Sequence, residues 1–307
     1  MTVKVRVPAT SANLGPGYDS IGLALQIYNE LTLSVAEGKQ STVEITGEGA
    51  LSLPRDGSHL SLKAADLLFE RAGEEPPAWR LHQHNRVPPA SGLGSSAAAI
   101  VGGLFAANAF LPRPFSREQL LEPAVALEGH PDNVAPALFG GAVICCRNGE
   151  QWHTLRLSPA KGLQLQLALP DLTLSTGEAR RVLPEQISRS DAVFNLGRAA
   201  ALTAALLTGE ERPLGWAMED RLHQPYRCPL IPGAAAAMAA AEEAGAGGAA
   251  LSGAGPTVIA LSFERRAAGG SRADKIAAAM RSAFADAGVE CRIISTSIDC
   301  SGVTLLD

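Results

Sequence analysis

Residues 87–98 read Val87-Pro88-Pro89-Ala90-Ser91-Gly92-Leu93-Gly94-Ser95-Ser96-Ala97-Ala98, a glycine-serine turn that runs straight into the apolar, alanine-rich stretch Ala97 to Phe110. Gly92 and Gly94 permit positive φ and close approach of backbone to an anion, and Ser95 and Ser96 stand where a helix presents its free N–H groups. The two hydroxyls add donors, or a ligand for a phosphate-bound cation. A Walker A loop would need Lys before the Ser or Thr, and a hydrolase elbow would need Gly-x-Ser-x-Gly; the segment has neither. Pro88 through Ala98 therefore reads as a phosphate cradle, and the competing reading is a Gly-Ser N-cap on a buried helix.

The rest of the chain limits what such a cradle can serve. With 307 residues there is room for one large domain or two ordinary ones. A hydrophobic share of 46% with 19% charged residues is that of an ordinary globular chain. The net charge of −5, from 26 basic and 31 acidic residues, argues against a broad nucleic-acid surface, so any polyanion must be met locally. Residues 1–10 alternate like a strand and contain no apolar signal core. Gly92 to Leu111, the nearest approach to a membrane span, carries Gly102, Gly103 and Asn108 and reads better as a buried helix. Five cysteines without paired zinc spacing read as reduced thiols, adjacent Cys145 and Cys146 as packing residues, and a cytoplasmic location is expected.

Periodicity outlines the order of elements. Val3–Val7, Leu31–Val35 and Thr42–Thr46 alternate as strands, and His59–Ala72 has helical spacing with Gly73 as its C-cap. Trp79–Arg86 alternates again and delivers the chain to the glycine loop, giving the strand, loop, helix order that a phosphate site needs. Ser116 reads as the cap of a helix running toward Glu128, and Gly140–Cys146 as a buried strand. Beyond the turn Arg147-Asn148-Gly149, strands are expected at Trp152–Leu157 and Leu163–Leu169. Helices follow at Thr176–Leu183, Asp191–Leu207 and Ala234–Ala244. Val258–Leu261 and Arg292–Ser297 read as strands around a helix Ala273–Ala287, a tail that suits a ferredoxin-like half. Arg265–Ser271 reads as a surface loop, and no linker marks the soft boundary near residue 150.

Two more segments join the central loop: Thr10-Ser11-Ala12-Asn13-Leu14-Gly15-Pro16-Gly17-Tyr18-Asp19, and Leu251-Ser252-Gly253-Ala254-Gly255-Pro256-Thr257. In this order, and over nearly the whole chain, the three resemble the motifs of the GHMP kinases, a superfamily of small-molecule kinases. The versions found here, with Glu128-Gly129-His130-Pro131-Asp132-Asn133 and His223-Gln224-Pro225-Tyr226-Arg227, resemble its homoserine kinase branch. The resemblance implies a two-domain α+β fold. Residues 1–150 would form an N-terminal ATP-binding domain with a left-handed-crossover-type sheet, and residues 151–307 a ferredoxin-like C-terminal domain. It implies ATP and Mg²⁺ as cofactors, L-homoserine as the acceptor whose side-chain hydroxyl receives the γ-phosphoryl group in threonine biosynthesis, and a homodimer.

The same resemblance distributes roles. ATP's phosphates lie over Pro88 to Ala98, and Ser96, in preference to Ser95, meets magnesium. Mg²⁺ takes one or two protein oxygens and keeps its waters, so a hydroxyl and one carboxylate suffice; Glu128 is the choice and Glu122 its rival. A zwitterionic acceptor demands a cation for its carboxylate and an anion for its ammonium. Arg180, on one helix face with Thr176, and Arg227 fill the first part, and Asp19 the second, with Asn13 as a polar clamp. Gly15-Pro16-Gly17 is a tight turn that brings Asn13 and Asp19 over one surface, although an Asx-turn would explain both. His130 and Asn133, in a short loop with Asp132, belong beside the acceptor and with Glu128 make the catalytic set; Asp132 is available as a base, and none is required. His59, His82, His84 and His153 are assigned to packing or surface. Tyr18, where relatives often have Phe, should send its hydroxyl outward. The rivals are another GHMP kinase, acting on L-threonine or mevalonate, and a nucleotide-binding regulator without turnover.

Overall fold

The alternation at the N-terminus becomes two long strands, β1 (Thr2–Asn13) and β2 (Gly17–Val35), joined by the Gly15-Pro16 turn and paired antiparallel along most of their length. The computed structural model describes residues 1–263 and 272–306; the loop expected at Arg265–Ser271 lies outside the described residues. β3 (Thr42–Gly47), α1 (Leu60–Ala72) and β4 (Trp79–Asn85) form a parallel β-α-β unit, and β4 also pairs with β2. β5 (Ala142–Asn148) pairs with the other end of β2, and β6 (Gln151–Leu157) pairs with β5. The last strand, β11 (Thr304–Leu306), returns to β1.

Helices α2 (Ser95–Asn108), α3 (Leu121–Glu128) and α4 (Pro131–Phe139) pack with α1 over this sheet, where Val5, Leu33, Trp79, Ile100, Val101, Leu104, Val134 and Leu138 close the core. α2 is apolar nearly all round, as a helix must be when sheet and helices both cover it. The second sheet is fully antiparallel in the order β10 (Cys291–Thr296), β7 (Leu163–Pro170), β9 (Val258–Phe263), β8 (Gly248–Leu251). With β7 and β10 inside and outside in that order, and α9 (Ala234–Glu243) and α10 (Arg272–Asp286) as crossovers, this is the ferredoxin-like arrangement. Its helix-covered face buries Ala237, Leu251, Val258, Ile276, Met280 and Phe284. Its other face shares a core with β1, β2, the phosphate loop and α6 (Arg189–Thr208), through Leu14, Leu23, Leu93, Leu165, Leu202 and Ile259.

Three expectations change. Residue 150 falls in the β5–β6 turn and both strands belong to the first sheet, so the sheets divide after Leu157, and Thr304–Leu306 rejoins the first. Ser116 does not open the helix that ends at Glu128; it faces Gln119 in a turn, and α3 starts at Leu121. His130, Asp132 and Asn133 do not share a loop. His130 is the N-cap of α4, with Asp132 and Asn133 in its first turn. Pro136 reads as a helix breaker in the sequence, whereas Pro131 at the first position is the signal that a helix begins there.

Candidate active site

The first sheet, together with loops and helices that flank the second, lines one cleft of about 490 Å³. Its floor at one end is the loop before α2. Gly94 is the N-cap of α2 at φ 68°, and a Cβ there would strike the Thr10 hydroxyl and come within 3.1 Å of Asn133 Oδ1. Gly92, at φ 79°, lies against the carbonyls of Ser252 and Gly255, where no side chain fits. The C-terminal glycine turn thus buttresses the loop directly. Ser252 Oγ donates to the Gly92 carbonyl at 2.7 Å and accepts from Ser11 Oγ at 2.8 Å, and the Thr257 N–H donates to the Ser91 carbonyl at 3.3 Å. The free N–H groups of the first turn of α2 open toward the cleft, since Gly94, Ser95 and Ser96 all line it.

Beside that helix terminus, Ser96 Oγ donates to Glu128 Oε1 at 2.6 Å. Burial raises the Glu128 pKa, against the opposing pull of the Ser96 bond and of His130, whose Nε2 lies 3.9 Å away. His130 Nδ1 donates to Asp132 Oδ1 at 2.8 Å. Burial disfavours its charge, yet Asp132 and Glu128 together lift its pKa above the ordinary histidine value. Glu122 takes no part: its side chain is 70% exposed, lies outside this cleft and reaches Arg71 at 3.5 Å. Among the described residues there is no cluster of three or more His, Cys, Asp and Glu that would hold a metal. A hydroxyl-carboxylate pair is what an ion held mainly by phosphates and water needs, so Ser96 and Glu128 fit magnesium.

Charged side chains from distant segments fill the other end. Asn13, at φ 68°, accepts the Asp19 N–H on Oδ1 at 2.9 Å and donates from Nδ2 to the Gly253 carbonyl at 2.8 Å. The first bond spans six residues and so closes the Gly15-Pro16-Gly17 turn without being an Asx-turn, and the second ties the N-terminal motif to the C-terminal glycine turn. Asp19 meets Arg180 of α5 (Thr176–Arg181) in a forked pair at 2.7 and 3.0 Å. Ser175 and Glu178 close a capping box that fixes the start of α5. Arg227 ends α8 (Gln224–Arg227) and is 1% exposed. It donates to the carbonyls of Ala179 at 3.1 Å and Gly253 at 3.2 Å, and makes no ion pair with any described residue. Burial lowers its pKa. Asn133 accepts from Thr10 Oγ1 at 2.8 Å, which leaves its amide nitrogen for the cleft it lines, as Thr176 also does.

Two features depart from the sequence reading or escape it. Tyr18 does not send its hydroxyl outward; the oxygen accepts from Arg180 Nη1 at 3.0 Å, and the ring lies between both arginines, 5.7 Å from one guanidinium carbon and 5.4 Å from the other. The second is the far end of the cleft, lined by Leu53, Pro54, His59, Leu60 and Gln83. His59 caps α1 by accepting the Ser61 N–H on Nδ1, as a packing histidine would, and only the tertiary fold turns that cap toward the cleft.

Known proteins agree with this architecture. Residues 59–141 match the family of the GHMP kinases N terminal domain, and residues 201–286 that of the GHMP kinases C terminal. The chain is 47% identical to a homoserine kinase of Moorella thermoacetica, over 94% of this chain and 95% of that one. It is 47% identical to a homoserine kinase of Carboxydothermus hydrogenoformans, over 96% and 93%. The crystal structure of a homoserine kinase from Cytophaga hutchinsonii superposes with a TM-score of 0.89 at 32% identity, covering 99% of this chain and 97% of that one. An L. major mevalonate kinase shares the fold alone, with a TM-score of 0.73 at 17% identity over 97% and 96%.

Proposed function

The chain belongs to the GHMP kinases and, within them, to the homoserine kinases, and from that premise we propose how its cleft transfers the γ-phosphoryl group of ATP to the side-chain hydroxyl of L-homoserine. The products are ADP and O-phospho-L-homoserine. The observation that carries the acceptor half is Arg227, a buried guanidinium in the cleft wall with no carboxylate partner among the described residues. A buried charge without a counter-ion is costly, and an acceptor carboxylate relieves that cost.

The residues act by holding. Backbone N–H groups from Gly92 to Ser96 take the phosphates, and Ser96 and Glu128 would hold magnesium, which when bound neutralises charge on the phosphate oxygens. Arg227 and Arg180 receive the acceptor carboxylate, Asp19 the ammonium, and Asn13, Thr176 and His130 close around the carbon chain. Asn133, fixed by Thr10, offers its amide to the acceptor hydroxyl. Asp132 is engaged by His130 at 2.8 Å and serves no general-base role; the hydroxyl proton leaves with the transferred phosphoryl oxygen. The cytoplasmic location and the homodimer belong to the same reading. Among the described residues no helix is long and apolar enough to cross a membrane, and α6 exposes Val193, Leu196 and Leu207 along one flank.

An ADP-release assay with MgATP and, in parallel, L-homoserine, L-threonine and mevalonate tests the proposal. L-Homoserine should give the highest kcat/KM, and a higher value for either alternative, or no turnover with any, would overturn it.

A further inference from the structure

Arg180 and Arg227 face the same end of the cleft but are supported in opposite ways. Arg180 has a carboxylate, Asp19, whereas the acceptors that Arg227 meets among the described residues are uncharged: two carbonyls and, at 3.4 Å from Nη1, the Nδ1 of His223. His223 is fully buried. Its Nε2 lies 2.8 Å from the Gly15 carbonyl, which can only accept, so Nε2 carries the ring proton. Arg227 Nη1 is a donor only and faces the other ring nitrogen at 3.4 Å, so Nδ1 carries no proton and presents a lone pair to Arg227; burial, which lowers the ring's pKa against the pull of Asp220, favours the same neutral form.

The ring cannot turn freely. Asp220, whose side chain is also buried, accepts the backbone N–H groups of Leu222, His223 and Gln224 at 2.9, 2.8 and 2.6 Å and the Asn195 amide at 2.7 Å. These bonds occupy the Asp220 carboxylate and fix the segment that carries both His223 and Arg227. A second carboxylate in the place of the imidazole would neutralise the guanidinium and compete with any incoming anion.

We infer that His223, held by Asp220 and the Gly15 carbonyl, is a positioning residue: it orients the Arg227 guanidinium with a neutral acceptor and so keeps its charge for the acceptor's carboxylate. The inference rests on the carboxylate-binding reading of Arg227. His223→Gln places an amide where Nε2 lies and removes the acceptor at Nδ1; His223→Asn keeps an oxygen at the Nδ1 position. His223→Gln should raise the homoserine KM about tenfold, the size of one hydrogen bond to a charged group, with the MgATP KM unchanged. His223→Asn should raise it less, and His223→Gln should add nothing in an Arg227→Ala background. If Arg227→Ala raises the homoserine KM but His223→Gln does not, or raises both KM values, or adds its full effect to that of Arg227→Ala, the positioning role is wrong and the carboxylate reading stands. If Arg227→Ala leaves the homoserine KM unchanged, the carboxylate reading fails and the inference with it. Should His223→Gln fail to fold by thermal melting, His223→Asn, also measured in the Arg227→Ala background, decides: a raised homoserine KM alone that adds nothing there supports the role, and any other outcome overturns it.

Discussion

The two ends of the cleft are built on different principles. The phosphate end is backbone: a contiguous loop whose glycines lie where the carbonyls of Ser252 and Gly255 and the Thr10 hydroxyl leave no room for a side chain, with Ser96 and Glu128 at its rim. The acceptor end is side chain, with polar and charged groups brought from β1, β2, α4, α5 and α8, as in the Asp19–Arg180 pair that joins residues 161 apart. Backbone donors suit a polyanion of fixed shape, and placed charges suit a small zwitterion. It follows that the phosphate end should fail in turnover and the acceptor end in affinity.

The largest effect is expected at the phosphate end. Ser96→Ala and Glu128→Gln should each lower kcat by about 10³-fold, since each removes stabilisation of the charge that develops in the transition state. Circular dichroism checks the fold. A variant at either position that changed only the homoserine KM would erase the division between the ends.

Next comes Arg227→Ala. Truncating one side of a desolvated charge pair costs about 2–5 kcal/mol, and because Arg180 remains, the lower part of that range is expected, about a hundredfold in homoserine KM. Initial rates against both substrates test it, and weakened MgATP binding with homoserine untouched would contradict the comparison.

The legibility of the sequence follows the same division. The phosphate end could be read because its glycines, serines and helix start lie within Pro88–Ala98, and the two ferredoxin-like helices because their periodicity is local. At the acceptor end no spacing connects Asp19 with Arg180, and only the family resemblance brought them together. In the structure they touch, Arg180 Nη2 donating to Asp19 Oδ1 at 2.7 Å. Local reading also missed α4, because Pro136 hides it, and the sheet membership of β6 and β11, because strand pairing is not local. The Tyr18 hydroxyl was misjudged because its partner, Arg180, lies 162 residues away.

The Asp19–Arg180 pair also sets the discrimination against an acceptor that lacks the amino group. With 4-hydroxybutyrate bound, Asp19 still has its arginine and is not left alone in an apolar site. The loss is then that of one hydrogen bond to a charged group, and kcat/KM should fall by about 10-fold to 100-fold rather than by the much larger factor of a site with an orphaned carboxylate. A fall beyond that range would mean that Asp19 leaves Arg180 when homoserine binds.

The smallest effect should come from the other glutamate of α3. Glu122 and Glu128 are six residues apart, about 120° around the helix, and face different ways: Glu128 touches Ser96, and Glu122 sits 70% exposed near Arg71 at 3.5 Å. An exposed pair of that kind contributes about 0–1 kcal/mol, and its loss removes nothing from the cleft. Glu122→Gln should therefore keep wild-type kcat and both KM values, with the melting temperature nearly unmoved. Glu122 lies in the first turn of α3 and Glu128 at its C-terminal end, where the helix dipole gives the two changes opposite effects on stability of about 0.3–1 kcal/mol, so the difference in kcat, not in melting temperature, isolates contact with the phosphate end. If Glu122→Gln lost turnover while Glu128→Gln kept it, the Ser96–Glu128 contact would be a helix-packing bond and the magnesium carboxylate would have to come from elsewhere.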